Sequence, residues 1–360
     1  MDLEEEQPPI FVAETNFPRH ILALFRPLSF VSKAHVTILS DGVRISVEDS
    51  RVMQAHAFLN VPLFRTYAFQ PPPRENEDGE EEEEEADACC FQISLTAFLE
   101  SLQIICSTLE PPASKYSGSS FNSSSDNRTH GYNSGGGVTA TLDRGGPAAM
   151  FDAQTLRAAE YRGKAGGEGA ICKFMWGGPE SEGGFVMSME DPVVTTTCTL
   201  TTYTAEGFND TEIDLTPGNV ALKVIMKSFW LHDALTELEA SAPSRLIIHA
   251  STNTPYLVLE GTGGTTSNSK VEFLTKDANV LETFDLPMGE GSSNVYKFDM
   301  IKNCMKALAV AFMVSIRIDV EGVLSIQFMV KNQEGQGMEG KESSFLDFRF
   351  LPFDLRGDDD

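Results

Sequence analysis

Two stretches of this chain carry the same pattern of strand, tight turn and strand. Val36-Thr-Ile-Leu-Ser-Asp-Gly-Val-Arg-Ile-Ser-Val-Glu48 turns at Asp41-Gly42, and Met313–Val330 turns near Glu321-Gly322. In both, apolar and polar residues alternate with the period of a half-buried strand, around a glycine that tolerates positive φ. Each hairpin follows a short amphipathic helix pattern that carries basic residues. A helix feeding a long hairpin, met twice, predicts an internally duplicated, β-rich scaffold.

With 360 residues and 41% hydrophobic content, the chain can fill two domains of ordinary size without disulfides or metals. Its six cysteines show no C-x-x-C spacing and no histidine partners at zinc-finger distances, so reduced thiols are expected. The acidic start Glu4-Glu5-Glu6 does not read as a signal peptide. No apolar run approaches the roughly 20 residues that span a bilayer, so neither membrane, metal nor cofactor is expected. The net charge of −26 argues against indiscriminate nucleic-acid binding. Much of that charge sits in Glu75–Asp87 and Asp358–Asp360, blocks that repel themselves and read as disordered. Exposed charges more than about 10 Å apart are largely screened at 0.1 M salt, so a basic face elsewhere keeps its use.

Low-complexity stretches at 71–88, 111–137 and 144–169 interrupt the first half, with a brief helix expected around Asp152–Tyr161. Without them the halves match in size and in their order of strands and helices. The expected organisation is a first domain over 1–202 holding these insertions, a polar connector over 203–217, a second domain over 218–355 and an acidic tail over 356–360.

Four helices are predicted. In the first, about Arg19–Lys33, residues Ile21, Leu24, Phe25, Leu28 and Val31 form an apolar stripe, and Arg19, Arg26 and Lys33 share the opposite face. Pro27 falls inside that pattern and should kink it, because it has no N–H for the preceding turn. In the last, Asp299–Ala311, Lys302 and Lys306 point outward together. The helices at Ser94–Ser107 and Ser228–Ala240 expose Glu100 and Gln103, and His232, Asp233, Glu237 and Glu239. Two helices are basic outside and two are not. An outward lysine is ordinarily just solvated.

Ser40-Asp-Gly-Val-Arg-Ile-Ser-Val-Glu-Asp-Ser-Arg-Val-Met-Gln-Ala-His-Ala-Phe58 resembles the first-domain signature of the Rad-one subunits of the nine-one-one checkpoint clamp. Tyr296-Lys-Phe, Met305-Lys-Ala-Leu, Val314-Ser-Ile-Arg-Ile-Asp and Gly322–Asn332 resemble their C-terminal signature, and Gly218–Tyr256 also fits. The resemblance implies an α+β, PCNA-like DNA clamp of two similar domains, each with antiparallel sheets outside and two helices lining a ring. It implies a heterotrimer with two sister clamp subunits, Rad9-like and Hus1-like, opened by a clamp loader and threaded by double-stranded DNA. A place in the nucleus follows, with checkpoint and repair proteins as further partners. Carried onto this sequence, Arg19, Arg26, Lys33, Lys302 and Lys306 face phosphates without reading bases. Tyr203, Phe208, Ile213 and Leu215 lie on the connector expected to dock partners.

Two other readings compete. A homotrimeric replication processivity clamp would use the same scaffold. A 3′–5′ exonuclease would use Asp210-Thr-Glu212, a D-x-E motif, with Asp285 and Asp299 as further carboxylates for a two-metal site. That motif lies in the polar connector and not on a buried strand, so it reads as a solvated linker, and no catalytic residue is assigned.

Overall fold

The computed structural model describes residues 8–71, 73–75, 81–85, 88–108, 171–178, 184–190, 195–205, 212–265, 267–277, 279–289, 291–331 and 343–353. Among these residues the chain runs through four copies of one unit, a strand, a helix and a three-stranded meander. The first copy is β1 (Phe11–Thr15), α1 (Pro18–Phe25), β2 (Lys33–Leu39), β3 (Gly42–Asp49) and β4 (Met53–Asn60), followed by β5 (Thr66–Phe69). A small hairpin, β6 (Pro73–Glu75) and β7 (Glu81–Glu85), comes next. The second copy is β8 (Ala88–Ser94), α2 (Leu95–Thr108), β9 (Ile171–Trp176), β10 (Phe185–Glu190) and β11 (Thr195–Leu200), with the short β12 (Tyr203–Thr204) behind it.

The third copy is β13 (Val220–Lys227), α3 (Ser228–Glu239), β14 (Arg245–Ala250), β15 (Leu257–Thr262) and β16 (Ser269–Phe273), followed by β17 (Thr283–Asp285). The fourth is β18 (Ser292–Lys297), a broken helix made of α4 (Phe298–Ile301), a 3-10 turn Lys302–Cys304 and α5 (Met305–Val310), then β19 (Met313–Asp319), β20 (Leu324–Lys331) and β21 (Ser343–Phe350). Each meander takes in the strand that precedes the other helix of its half: β8 pairs with β2, β1 with β9, β13 with β19 and β18 with β14.

The result is a ten-stranded sheet in the order β12-β8-β2-β3-β4-β21-β20-β19-β13-β17, with five- and four-stranded sheets ordered β11-β10-β9-β1-β5 and β16-β15-β14-β18. The two look-alike hairpins therefore do not occupy corresponding places. β2–β3 follows the first helix of its half and β19–β20 the second helix of the other. They come near each other at the middle of the long sheet, where β4 pairs with β21 from Phe58↔Phe345 to Met53↔Phe350. Their turns differ too. Gly42 directly opposes Leu39, and a Cβ there would come within 2.2 Å of the Leu59 carbonyl oxygen. In the second hairpin the Asp319 carboxylate accepts from the N–H groups of Glu321 and Val323, and Gly322 sits at φ 88°.

Three local expectations are corrected. α1 stops at Phe25 and Arg26–Leu28 tightens to a 3-10 turn, because Pro27 can neither donate backward nor leave Arg26 at ease in a helix. The last helix is likewise broken at Lys302–Cys304. The acidic stretch expected to be unstructured contains the β6–β7 hairpin, since main-chain pairing (Pro73↔Glu85, Glu75↔Glu81) needs no core of its own. The helix expected at Asp152–Tyr161 lies outside the described residues.

α1, α3 and α5 pack on the long sheet, against β4, against β13 and β19, and against β20 respectively. Phe25 packs edge-on against Phe98 of α2, and Phe30 against Phe348 of β21. Two histidines are sealed in this structure. His20 of α1 shares a hydrogen bond with Ser344 of β21 at 2.9 Å, and His56 of β4 one with Ser46 at 2.8 Å. Burial pushes both down to about 4, helped at His56 by the Arg349 cation. A base with a lowered folded pKa takes up fewer protons than the unfolded chain between its two pKa values. Stability is thus complete above pH 6.5 and falls toward pH 4, by about 1.4 kcal/mol per pH unit for each histidine. Denaturation midpoints measured from pH 7.5 to 4.5 should show this slope, and His56→Asn should remove close to half of it. A flat profile would show that neither ring is held neutral.

Candidate nucleic-acid interface

Three of the five basic residues come together. The turn Arg26–Leu28 packs on both Lys302–Cys304 and α5, so Arg26, Lys302 and Lys306 lie on adjoining segments drawn from both halves of the chain. All three side chains are exposed. Arg26 Nη2 donates to Gln103 Oε1 of α2. Lys306 Nζ donates to Ser29 Oγ at 2.9 Å, linking the halves. Lys302 Nζ lies 2.9 Å from Glu239 Oε1 at the end of α3, and that carboxylate raises the lysine's pKa.

The other two stand apart. Arg19 is half-buried in the first turn of α1. Lys33 is exposed, but it opens β2 opposite Ser94 and is not on a helix. The partners Gln103, Ser29 and Glu239 were not expected. Helical spacing puts Gln103 and Glu239 on outward faces, yet nothing in it shows which distant cation each will meet.

The connector is clasped to the outer face of the long sheet. Ile213 is 6% exposed; its N–H donates to Gln54 Oε1 at 2.7 Å and its carbonyl accepts from Arg349 Nη1 at 2.7 Å. Glu212 lies between Arg44 at 3.3 Å and Arg349 at 3.4 Å. Arg349 also meets Asp347 at 2.9 Å and Asp214 at 3.4 Å. Two expectations change. Glu212 is not a loose carboxylate of a solvated linker but an ion-paired anchor. Ile213 faces the sheet and is not offered outward. Tyr203 is exposed on β12 opposite Gln92, Leu215 is half-buried, and Phe208 and Asp210 lie outside the described residues. Asp285 is exposed on β17 opposite Lys223, and Asp299 is exposed in the first turn of α4. Among the described residues no three acidic, histidine or cysteine side chains converge as a metal site would need.

Solved structures share this architecture. A PCNA from Thermococcus kodakaraensis superposes with a TM-score of 0.57 at 14% identity, covering 95% of this chain and all of that one. A PCNA2–PCNA3 complex from Sulfolobus tokodaii gives 0.55 at 14% identity, over 95% and 98%. The fold is that of the PCNA-like DNA clamps. Residues 10–330 match the family model described as repair protein Rad1/Rec1/Rad17. The DNA damage checkpoint control protein rad1 of Schizosaccharomyces pombe is 30% identical over 352 residues, 98% of this chain and 89% of that protein. The cell cycle checkpoint protein RAD1 of Mus musculus is 26% identical over 333 residues, 92% and 91%. The chain belongs to the Rad1 family.

Proposed function

We propose that this protein is one subunit of a heterotrimeric sliding clamp acting in DNA-damage checkpoint signalling and repair in the nucleus. Its sisters are a Rad9-like and a Hus1-like subunit, a clamp loader opens the ring, and double-stranded DNA passes through it. The observation that carries the reading is the strip of Arg26, Lys302 and Lys306, assembled from both halves on the helical face of one continuous sheet. Long cationic side chains on such a face can follow phosphates of any sequence, as sliding demands. Domains at 1–202 and 218–355, a docking connector at 203–217, and a DNA-facing role for Arg19 and Lys33 belong to the same proposal.

Edge strands are where the sisters would dock. Among the described residues β11 and β16 each end a smaller sheet, an edge that a neighbour's strand can extend. The proposed mechanism is topological, without chemistry on the DNA. Glu212 supports this over the exonuclease reading, because a carboxylate committed to two arginines serves poorly as a metal ligand.

The test is co-expression with the two sister subunits. A 1:1:1 complex in native mass spectra is expected, and a homotrimer of this chain alone would favour a replication clamp. Within that complex, Lys302→Glu with Lys306→Glu should weaken duplex binding about tenfold near 0.1 M salt and flatten its salt dependence. Unchanged affinity would remove both lysines from the DNA face.

A further inference from the structure

The three cations of the strip are not held alike. Arg26 and Lys306 donate to neutral groups, Gln103 and Ser29, and form no ion pair among the described residues. Lys302 lies against a carboxylate, with its side chain 42% exposed and that of Glu239 43%. Glu239 reaches it from a different helix, and α3 packs against α5 so that the two side chains meet. A phosphate reaching Lys302 must therefore displace or tolerate a carboxylate within hydrogen-bonding distance of the ammonium. At separations shorter than the roughly 10 Å Debye length at 0.1 M salt, that repulsion is only partly screened.

We propose that Glu239 is a built-in competitor for DNA phosphate at Lys302. It lowers this subunit's grip and leaves Arg26 and Lys306 as its strong contacts. The proposal rests on the DNA-facing reading of the strip. A clamp gains from such an arrangement because encirclement already prevents loss of the DNA, and each additional tight phosphate contact only slows travel along it. With Glu239 present, Lys302 releases few counterions on binding, since its charge is already largely compensated. Without it, Lys302 should behave as one further full phosphate contact.

The measurement is duplex affinity of the full-length chain assembled with its sister subunits, followed across salt, for Glu239→Gln, Lys302→Gln and the double substitution. Gln keeps the shape at 239 and can still accept from Lys302, and thermal midpoints check that each variant is folded. Glu239→Gln should tighten binding roughly threefold near 0.1 M salt and steepen the plot of log affinity against log salt by up to about 0.9. Lys302→Gln should weaken binding, and the gain from Glu239→Gln should be clearly smaller when both are changed, because only general repulsion is then relieved and no ammonium is freed. If Lys302→Gln weakens binding while Glu239→Gln leaves it unchanged, the competitor is overturned and the DNA face stands. An equal gain in the Lys302→Gln background would also overturn it, since the effect would then be general charge and not competition at that lysine. If Lys302→Gln has no effect at all, the DNA-facing reading of that lysine fails and the competitor with it.

Discussion

Phe348→Ala should lower the unfolding free energy by about 4 kcal/mol. Phe348 is fully buried on β21, at the line where the two halves share a sheet. Its ring meets Phe328 edge-on at 5.4 Å and Phe30 at 6.1 Å, so the strand, its neighbour and the segment after α1 all lose contacts together. Large-to-small changes of a buried aromatic cost about 3–5 kcal/mol when the cavity cannot collapse, and hydrogen-bonded strands collapse poorly. Phe348→Leu keeps most of the volume and should cost less than about 1.5 kcal/mol. Denaturant titration of both variants checks the pair. A loss below 1 kcal/mol for the alanine would mean that the seam repacks freely.

Arg349→Ala, one residue along and on the opposite face, should cost about 2–3 kcal/mol and loosen the connector. The guanidinium is the hub of the clasp. It fixes the Ile213 carbonyl and sits among Glu212, Asp214 and Asp347, so its removal leaves a backbone acceptor unbonded and acidic groups facing one another. The figure stays moderate because the side chain is partly solvated and Arg44 still holds Glu212. Arg349→Lys should recover little, since an ammonium cannot spread several donors across that fan of acceptors. Limited proteolysis reads the local effect: cleavage within residues 212–216 should accelerate well before global unfolding. Unchanged cleavage would show that Gln54 and Arg44 suffice to hold the strip.

Period-2 alternation marks both hairpins because each strand sits with one face on a core and the other toward polar surroundings. The helices are legible for the same kind of reason, through the apolar stripes around Leu24, Leu102, Leu235 and Leu308. Their ends are harder. Lys33 continues the spacing of Arg19 and Arg26 in the sequence, yet Pro27 breaks the backbone regularity on which that spacing depends. β21 alternates Leu346, Phe348 and Phe350 with Asp347 and Arg349, a signal sufficient for a strand that the sequence expectation nevertheless stops short of. Its position between β4 and β20 is another matter, since register with a strand nearly 300 residues away has no local signature. The cations of the candidate site were legible as outward residues, whereas their partners Ser29, Gln103 and Glu239 depend on which helices become neighbours. The clasp on Glu212 was hidden for the same reason. A carboxylate in a polar stretch looks solvated until two arginines from opposite halves converge on it.

The placement of β21 also fixes the order of events at the ribosome. The strand made last among the described residues is an interior one, with five strands on one side and four on the other. Until residues 343–350 emerge from the exit tunnel, β4 and β20 both carry bare backbone edges, and the two halves have no shared ladder. Vectorial synthesis thus delivers two unfinished sheets and supplies the closing strand late. The nascent chain passes through an interval in which those edges need shelter from other strands, whether by a chaperone or by speed.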